Sequence, residues 1–369
     1  MEIKNVEIRT IQLPLVRPFR TSFGTQLSRE LLLLKLTTRD GGEGWSECVA
    51  MSEPLYSPEY TSGCQDVMER FLLPAIFERG DVRAEEVAEI LRPFLGHQMA
   101  KAAIESAILD AQLKDEGISF GSYLGSSREL IDCGVSVGIA NSIDELVKEV
   151  GLYVSEGYRR IKLKIEPGWD IEPVRVIRET WPNIPLQVDA NQAYTRADYS
   201  HLAGLDPYDL LLIEQPLDEH DVLGHAELAE VISTPVCLDE SITSLQAARD
   251  ALALKATTII NIKPGRVGGY LESVRIHDLC VENDIAVWCG GMLETGIGRA
   301  ANVALASLPG FTLPGDTSAS SRYYHRDITT PFVMDDGQLR VPQGAGIGVE
   351  IDHEFVEEIT TARKIISAP

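Results

Sequence analysis

The segment "RRIKLKIEPGW", Arg159 to Trp169, alternates Ile161, Leu163 and Ile165 with Lys162 and Lys164. Side chains on a strand repeat every second residue, so the aliphatics share one face and the two lysines share the other. Taken alone, the stretch reads as a half-exposed strand with a solvated charged face. What recurs at the same place in neighbouring segments decides against that reading.

From about residue 131 the chain alternates short β-rich runs with amphipathic stretches. The runs are "CGVSVGI", "RIKLKI", "LQVDA", "LLLIEQP", "PVCLDE", "TIINIKP", "AVWCG" and "FTLP". Eight such units in series predict an α/β protein in which parallel strands and crossover helices close a (β/α)8-type barrel. Lys164, Asp189, Glu214, Asp239 and Lys263 fall at or beside the C-terminal ends of the second to sixth runs, at spacings of 25, 25, 25 and 24 residues. Strand ends of that kind share one mouth of a barrel. Strands two and six lie opposite each other in a ring of eight. The pattern therefore predicts two lysines facing across a pocket floored by three carboxylates.

Three clustered carboxylates repel one another, and a hard divalent cation is the expected compensation. All-oxygen ligation favours Mg²⁺, with Mn²⁺ as the alternative. Singly, Asp189 and Asp239 read as helix N-caps, Glu214 as the partner of an arginine and Lys263, before Pro264, as a surface residue. Their shared position carries the functional reading. Removing a proton next to a carboxylate creates an enediolate dianion, whose charge such a centre would stabilise. The base must then be a neutral lysine, which requires lowering a pKa of about 10.4 toward 7 or 8. A second ammonium about 7 Å away supplies about 2.4 kcal/mol at an effective dielectric of 20, under two pKa units. Lys162 is expected to help Lys164 in this way, Arg266 to help Lys263, and burial and the metal to supply the rest.

Residues 1–125 read as α+β. Strands are expected near 4–13, 30–37 and 44–48, with Asp40-Gly41-Gly42 as a hairpin turn, followed by three helical stretches, the clearest starting at Met99 with "MAKAAIESAILDAQL". Residues 126–322 hold the barrel. After about residue 325 a hairpin, "FVMDDGQLRV" turning at Asp335-Asp336-Gly337, is expected within a 323–369 segment that packs back on the first domain.

The 369 residues carry 33 Lys+Arg against 56 Asp+Glu, a formal charge of -23. That balance repels nucleic acid and anionic membrane surfaces, so an anionic substrate must be held by local cations. Cys48, Cys64, Cys133, Cys237, Cys280 and Cys289 form no CxxC pair and read as reduced packing residues of a cytoplasmic protein. The start, "MEIKNVEIRT", leads into no apolar export segment, and the longest aliphatic run, Leu31 to Leu34, is too short to span a membrane. "GRVGG" and "GGMLETGIG" do not fit the dinucleotide fingerprint and read as strand-end loops that let a substrate approach backbone.

The "KLK" strand, the Asp189/Glu214/Asp239 set and "NIKPGRVGG" resemble the muconate-lactonizing-enzyme subgroup of the enolase superfamily. The histidine that mandelate-racemase-like members carry on strand seven is missing from "AVWCGG". "PFRTSFGTQ", "ECVAMSEPLYSPEY", "CGVSVGI", "WCGGMLETGIGRAANVALASLP" and "FTLPGDTSASSRY" narrow the resemblance to the o-succinylbenzoate synthase/N-acylamino acid (N-succinylamino acid) racemase family. The resemblance implies a modified (β/α)7β barrel under an α+β capping domain, a homo-oligomer and a small-molecule carboxylate substrate. It implies Lys164 and Lys263 as paired acid/base residues and Asp189, Glu214 and Asp239 as metal ligands. Lys162 and Asn191 would lie near the substrate carboxylate, with Glu240 behind the metal ligands. Ser136, Gly291 and Met292 would line the pocket, and Phe19, Phe23, Met51 and Tyr56 would close it from capping loops. The implied reactions are racemisation of N-acylamino acids and dehydration to o-succinylbenzoate in menaquinone biosynthesis. Arg266 tilts the reading toward the racemase or a bifunctional enzyme. Three alternatives stand beside it. A dipeptide epimerase would carry two aspartates near strand eight, where "LPGDTS" has only Asp316; a Schiff-base lysine aldolase would use one barrel lysine as a nucleophile; a silent barrel would serve only for binding.

Overall fold

In the computed structural model, which describes residues 1–369, the chain opens with three antiparallel strands: β1 (Ile3–Thr21), β2 (Gly24–Thr38) and β3 (Glu43–Cys48). The first two run longer than their hydrophobic alternation suggests. Pro14 and Pro18 interrupt the pattern, and pairing between β1 and β2 shifts register between Pro14 and Phe19 before resuming at Phe19 and Gln26. This continuation carries Phe19 and Phe23 out on a hairpin tip. The turn at Asp40-Gly41-Gly42 forms as expected, with the Thr38 amide donating to the Gly42 carbonyl at 2.9 Å. Helical residues 61–79 and the helices Ala84–Ile90 and Gln98–Glu116 follow.

After β4 (Leu130–Asp132), seven parallel strands pair in sequential order. They are β5 (Gly134–Val137), β6 (Arg160–Lys164), β7 (Leu186–Asp189), β8 (Ile213–Glu214), β9 (Val236–Leu238), β10 (Ile259–Ile262) and β11 (Ala286–Cys289). The eighth run, "FTLP", is not a regular strand, which corrects the expected ring of eight. Phe311 bridges Val287 of β11, and Gly315 bridges Cys133 beside β5. The Asp316 amide donates to Cys289 and the Gly134 amide to Gly315. Pro314 lacks an N–H and interrupts the ladder, so this segment spans the seam with a few bonds.

The hairpin expected around Asp335-Asp336-Gly337 also needs correcting. The turn exists, but β12 (Gln338–Arg340) pairs antiparallel with β4 rather than with residues 332–334. There Leu339 is buried and pairs with Ile131, a partner the local sequence could not reveal. The last strand, β13 (Thr360–Ser367), pairs antiparallel with β1 and gives the first sheet the order β13-β1-β2-β3. No helix is long and apolar enough to cross a membrane.

Carboxylates from the first sheet and its helices fasten the two parts together by capping barrel helices. Glu47 on β3 accepts hydrogen bonds from the Thr295 amide, the Thr295 hydroxyl and the Gly298 amide, at the N-terminus of helix Gly296–Ala306. Glu105 does the same for the amides of Tyr270 and Leu271, which begin helix Tyr270–Glu282.

Burial, reinforced by the charge of Glu294, pushes the Glu47 carboxyl up to about 7 from its ordinary 4.5, although Thr295 and Arg29 oppose the shift. The folded chain thus binds this proton more tightly than the unfolded chain. The associated stability is complete below about pH 4.5 and is lost as pH rises through about 7. It amounts to about 3 kcal/mol. Melting temperature followed from pH 5 to 8 should therefore fall with rising pH, and Glu47→Gln should flatten that slope.

Candidate active site

Ladder register puts the charged residues together. Ser136 pairs with Lys162, Lys164 with Asp189, and Asp189 with Glu214. Glu214 pairs with Cys237, so Asp239 stands two residues further on, just past β9, and Lys263 follows β10 directly. All five strand-end residues and Lys162 are buried, which overturns the solvated-face reading of "RRIKLKIEPGW". The lysines of β6 point into the barrel, while Ile161, Leu163 and Ile165 pack outward against the helical layer. Beneath the charged layer, Leu212, Cys237, Ile259 and Trp288 fill the barrel with apolar side chains.

Each ammonium is paired. Lys164 donates to Asp189 and to the Asn191 side-chain oxygen, both at 2.6 Å. Lys263 donates to Asp239 at 2.8 Å and to the Tyr56 hydroxyl at 3.2 Å. Lys162 reaches Asp316 at 2.7 Å, Glu214 at 2.9 Å and Asp189 at 3.2 Å, with its ammonium 4.6 Å from the Trp288 ring centroid. Asn191 also donates to Glu240 at 2.9 Å. Arg266 contacts Asp239, donates to the Tyr56 hydroxyl at 3.0 Å, and holds the carbonyls of Ile242 and Asn261. The Tyr56 hydroxyl in turn donates to Asp239 at 3.1 Å. The capping-domain tyrosine therefore joins Lys263, Arg266 and Asp239 in one network.

These pairs correct the expected lysine electrostatics. Burial lowers the Lys162 ammonium's pKa, but Asp316, Glu214 and Asp189 outweigh it and hold the group well above the usual lysine range. Lys263 is also raised, because Tyr56 and the carboxylates of Glu214, Glu240 and Asp189 overcome its burial. The protein's own charges favour ammonium at these two positions. Lys162 is thus neutralised by acids on three sides instead of acting on Lys164 as an isolated cation. Among the acids, burial and the nearby Asp189 charge raise Glu214, and the same causes push Glu240 up to about 7. Burial opposes ionisation of Asp189 too, but Lys164 and Lys162 prevail and hold it far below the usual range.

Asp189, Glu214 and Asp239 offer oxygen donors from three adjacent strands, the chemistry suited to a hard divalent ion. Their side chains turn onto the ammonium groups, and no three acidic side chains close on one point. Two buried oxygens beside them, Glu240 Oε2 and Asn261 Oδ1, have no hydrogen-bond partner. A floor with mutually repelling carboxylates and orphaned acceptors fits a cation in its donor chemistry.

A cleft opens above this floor. It is lined by Lys162, Lys164, Lys263 and Asn191, by Ser136, Gly291 and Met292, and by Phe19, Phe23, Met51 and Tyr56. Glu240 and Arg266 stand behind it. Sequence reasoning missed Asp316, which also lines the cleft and bonds Arg160 at 2.9 Å. Its place just past the eighth run, matching the charged residues that close the second to sixth runs, was the available signal. Left-handed backbone at Asn191, Gln215 and Leu293, just past three strand ends, marks the same rim. Close approach explains two glycines: a Cβ on Gly134 would lie 2.3 Å from the Arg160 guanidinium carbon, and one on Gly290 would lie 2.7 Å from Lys263 Cε.

Asp316 compensates two buried cations, so Asp316→Ala should leave both under-neutralised. The expected loss is about 3–5 kcal/mol of unfolding free energy, measurable by urea titration. A loss below 1 kcal/mol would contradict that role.

Known proteins with this architecture extend the comparison along the whole chain. Residues 4–125 match the mandelate racemase/muconate lactonizing enzyme N-terminal domain, and residues 145–355 match the enolase C-terminal domain-like family. An N-succinylamino acid racemase from Amycolatopsis sp is 60% identical over 364 residues, covering 98% of this chain and 99% of that protein. An o-succinylbenzoate synthase from Bacillus subtilis is 43% identical, covering 100% of this chain and 99% of that protein. A crystal structure of an enolase-superfamily member from Listeria innocua superposes with a TM-score of 0.96 at 39% identity, covering 100% of both chains. This chain belongs to the muconate-lactonizing-enzyme subgroup of the enolase superfamily, within the N-succinylamino acid racemase/o-succinylbenzoate synthase family.

Proposed function

We propose that this protein abstracts the proton alpha to a carboxylate and that its substrates are N-succinylamino acids, which it racemises. The single observation that carries this reading is that Lys164, at the end of β6, and Lys263, just past β10 four strands away, line one cleft. The relative at 60% identity, named an N-succinylamino acid racemase, supports the substrate class. In the proposed reaction one lysine, as the free amine, takes the α-proton, and the other, as ammonium, delivers a proton to the opposite face. Asn191 holds Lys164 and Tyr56 holds Lys263 at hydrogen-bond distance, which fixes both bases before the substrate arrives. Phe19, Phe23 and Met51 exclude water over the reacting carbon.

Asp189, Glu214 and Asp239 are the residues proposed to hold Mg²⁺, with Mn²⁺ as a substitute. Such an ion would supply positive charge to the substrate carboxylate as the enediolate forms. Residues 1–125 and 323–369 are read as the cap over a 126–322 barrel. Six unpaired, buried cysteines support a reducing, cytoplasmic setting. A homo-oligomer is part of the same proposal.

Relatives at 42–46% identity that are named o-succinylbenzoate synthase support a second reaction at this site, proton abstraction with loss of water. There Lys164 would be the base and Lys263 would remain an ammonium beside the developing enolate, as its raised pKa favours. The dipeptide-epimerase reading loses ground because the Asp316 carboxylate is already bonded by Arg160 and Lys162.

In deuterated buffer, Lys164→Ala should abolish α-proton exchange from one enantiomer of an N-succinylamino acid and Lys263→Ala from the other, each by about 10²–10⁴-fold. If either variant exchanged both enantiomers at the parent rate, the two-base assignment would fail. Activity should vanish in EDTA and return with Mg²⁺ or Mn²⁺; undiminished turnover in metal-free buffer would remove the carboxylates from their proposed role.

A further inference from the structure

Arg29 is the most deeply buried cation outside the charged floor except Arg160, with 1% of its surface exposed. It sits on β2, in the capping domain. All four of its hydrogen bonds go to main-chain carbonyls: Glu30 and Ala50 at 3.1 Å, Val49 at 2.6 Å, and Met292 at 3.1 Å. Burying a guanidinium is costly unless its donors are bonded, so this placement constrains the segments that supply the acceptors. Val49 and Ala50 directly precede Met51, and Met292 follows β11. Met51 and Met292 both line the substrate cleft, one from each domain.

The barrel side of this contact is held by hydrogen bonds of its own. The Met292 amide donates to Glu294 at 2.8 Å, and Glu294 also accepts from the Asn302 side chain at 3.0 Å. Leu293 adopts a left-handed φ of 60°, and its carbonyl accepts from the Tyr324 hydroxyl. The Met292 amide and carbonyl are therefore both held, the amide by the barrel and the carbonyl by the cap. A planar guanidinium can donate in several fixed directions at once, which a lysine ammonium on its flexible stem cannot reproduce.

We propose that Arg29 is a positioning residue for substrate side-chain selectivity. It fixes the Met51 loop of the cap against the Met292 loop of the barrel, and so sets the space left for the substrate side chain. This inference rests on the proposed racemisation of N-succinylamino acids and adds to it the group that governs which amino acids are accepted.

The test compares kcat and KM of the full-length protein, Arg29→Lys and Arg29→Met on N-succinylphenylalanine and N-succinylalanine. Arg29→Lys is expected to shift the ratio of kcat/KM between the two substrates by about tenfold or more, mainly through KM. Arg29→Met should shift it at least as far. The ratio cancels the fraction of folded enzyme, so a poorly folding Arg29→Met leaves Arg29→Lys to decide. A ratio unchanged from the parent, with both substrates slowed equally, would mean a purely structural arginine and would overturn the inference alone. Inactivity of the parent on both substrates would overturn the proposed reaction and this inference with it.

Discussion

Everything in this molecule is arranged around one constraint: three carboxylates and three ammonium groups must be buried together at the mouth of a barrel. Isolated, any one of them would be too costly to remove from water. Parallel pairing solves the problem by height, since Lys164, Asp189 and Glu214 are successive ladder partners and their side chains emerge at one level. The apolar plug of Leu212, Cys237, Ile259 and Trp288 beneath them excludes water from below. The ionic layer is consequently both the floor of the cleft and the top of the barrel core. Arg160 and Asp316 extend it sideways across the seam that the irregular eighth segment spans with only a few bonds.

The capping domain completes this layer as well as covering it. Tyr56 places a hydroxyl among Lys263, Arg266 and Asp239, and Ser22 reaches the carbonyls of Ala190 and Asn191 beyond β7. In the other direction, Glu47 and Glu105 cap barrel helices with buried carboxylates. The cap thus supplies hydroxyl groups to the charged layer and hydrogen-bond acceptors to the barrel helices. Beyond the register shift at Pro14, the β1–β2 hairpin carries Phe19 and Phe23 to the cleft.

The chemistry also depends on a balance that the protein's own charges do not strike. Lys162 and Lys263 are held as ammonium by surrounding acids, so a lysine acting as a base needs those acids engaged elsewhere. A cation on Asp189, Glu214 and Asp239 would draw carboxylate charge away from the lysines. The same ion would then organise the substrate and free the base, coupling metal binding to proton transfer.

Much of this was legible in the linear chain. A period-2 strand with two lysines on one face, and ionisable residues spaced by one βα unit, identify the barrel, its mouth and the five charged strand ends, because a repeated unit puts equivalent positions at equivalent heights. The cap's Phe19, Phe23, Met51 and Tyr56 came from resemblance to a family, and all four line the cleft. The tertiary structure alone decided the rest. Pairing of β12 with β4 and of β13 with β1 joins segments over 200 residues apart, where local alternation carries no information about the partner. The direction of the lysine pKa shifts depends on which acids crowd each ammonium, and Asp316 arrives beside Lys162 only when the barrel closes. Sequence thus determined which groups stand at the mouth, since strand periodicity is local. Folding decided which of them neutralise each other, since Coulomb energy depends on distances that only the closed barrel sets.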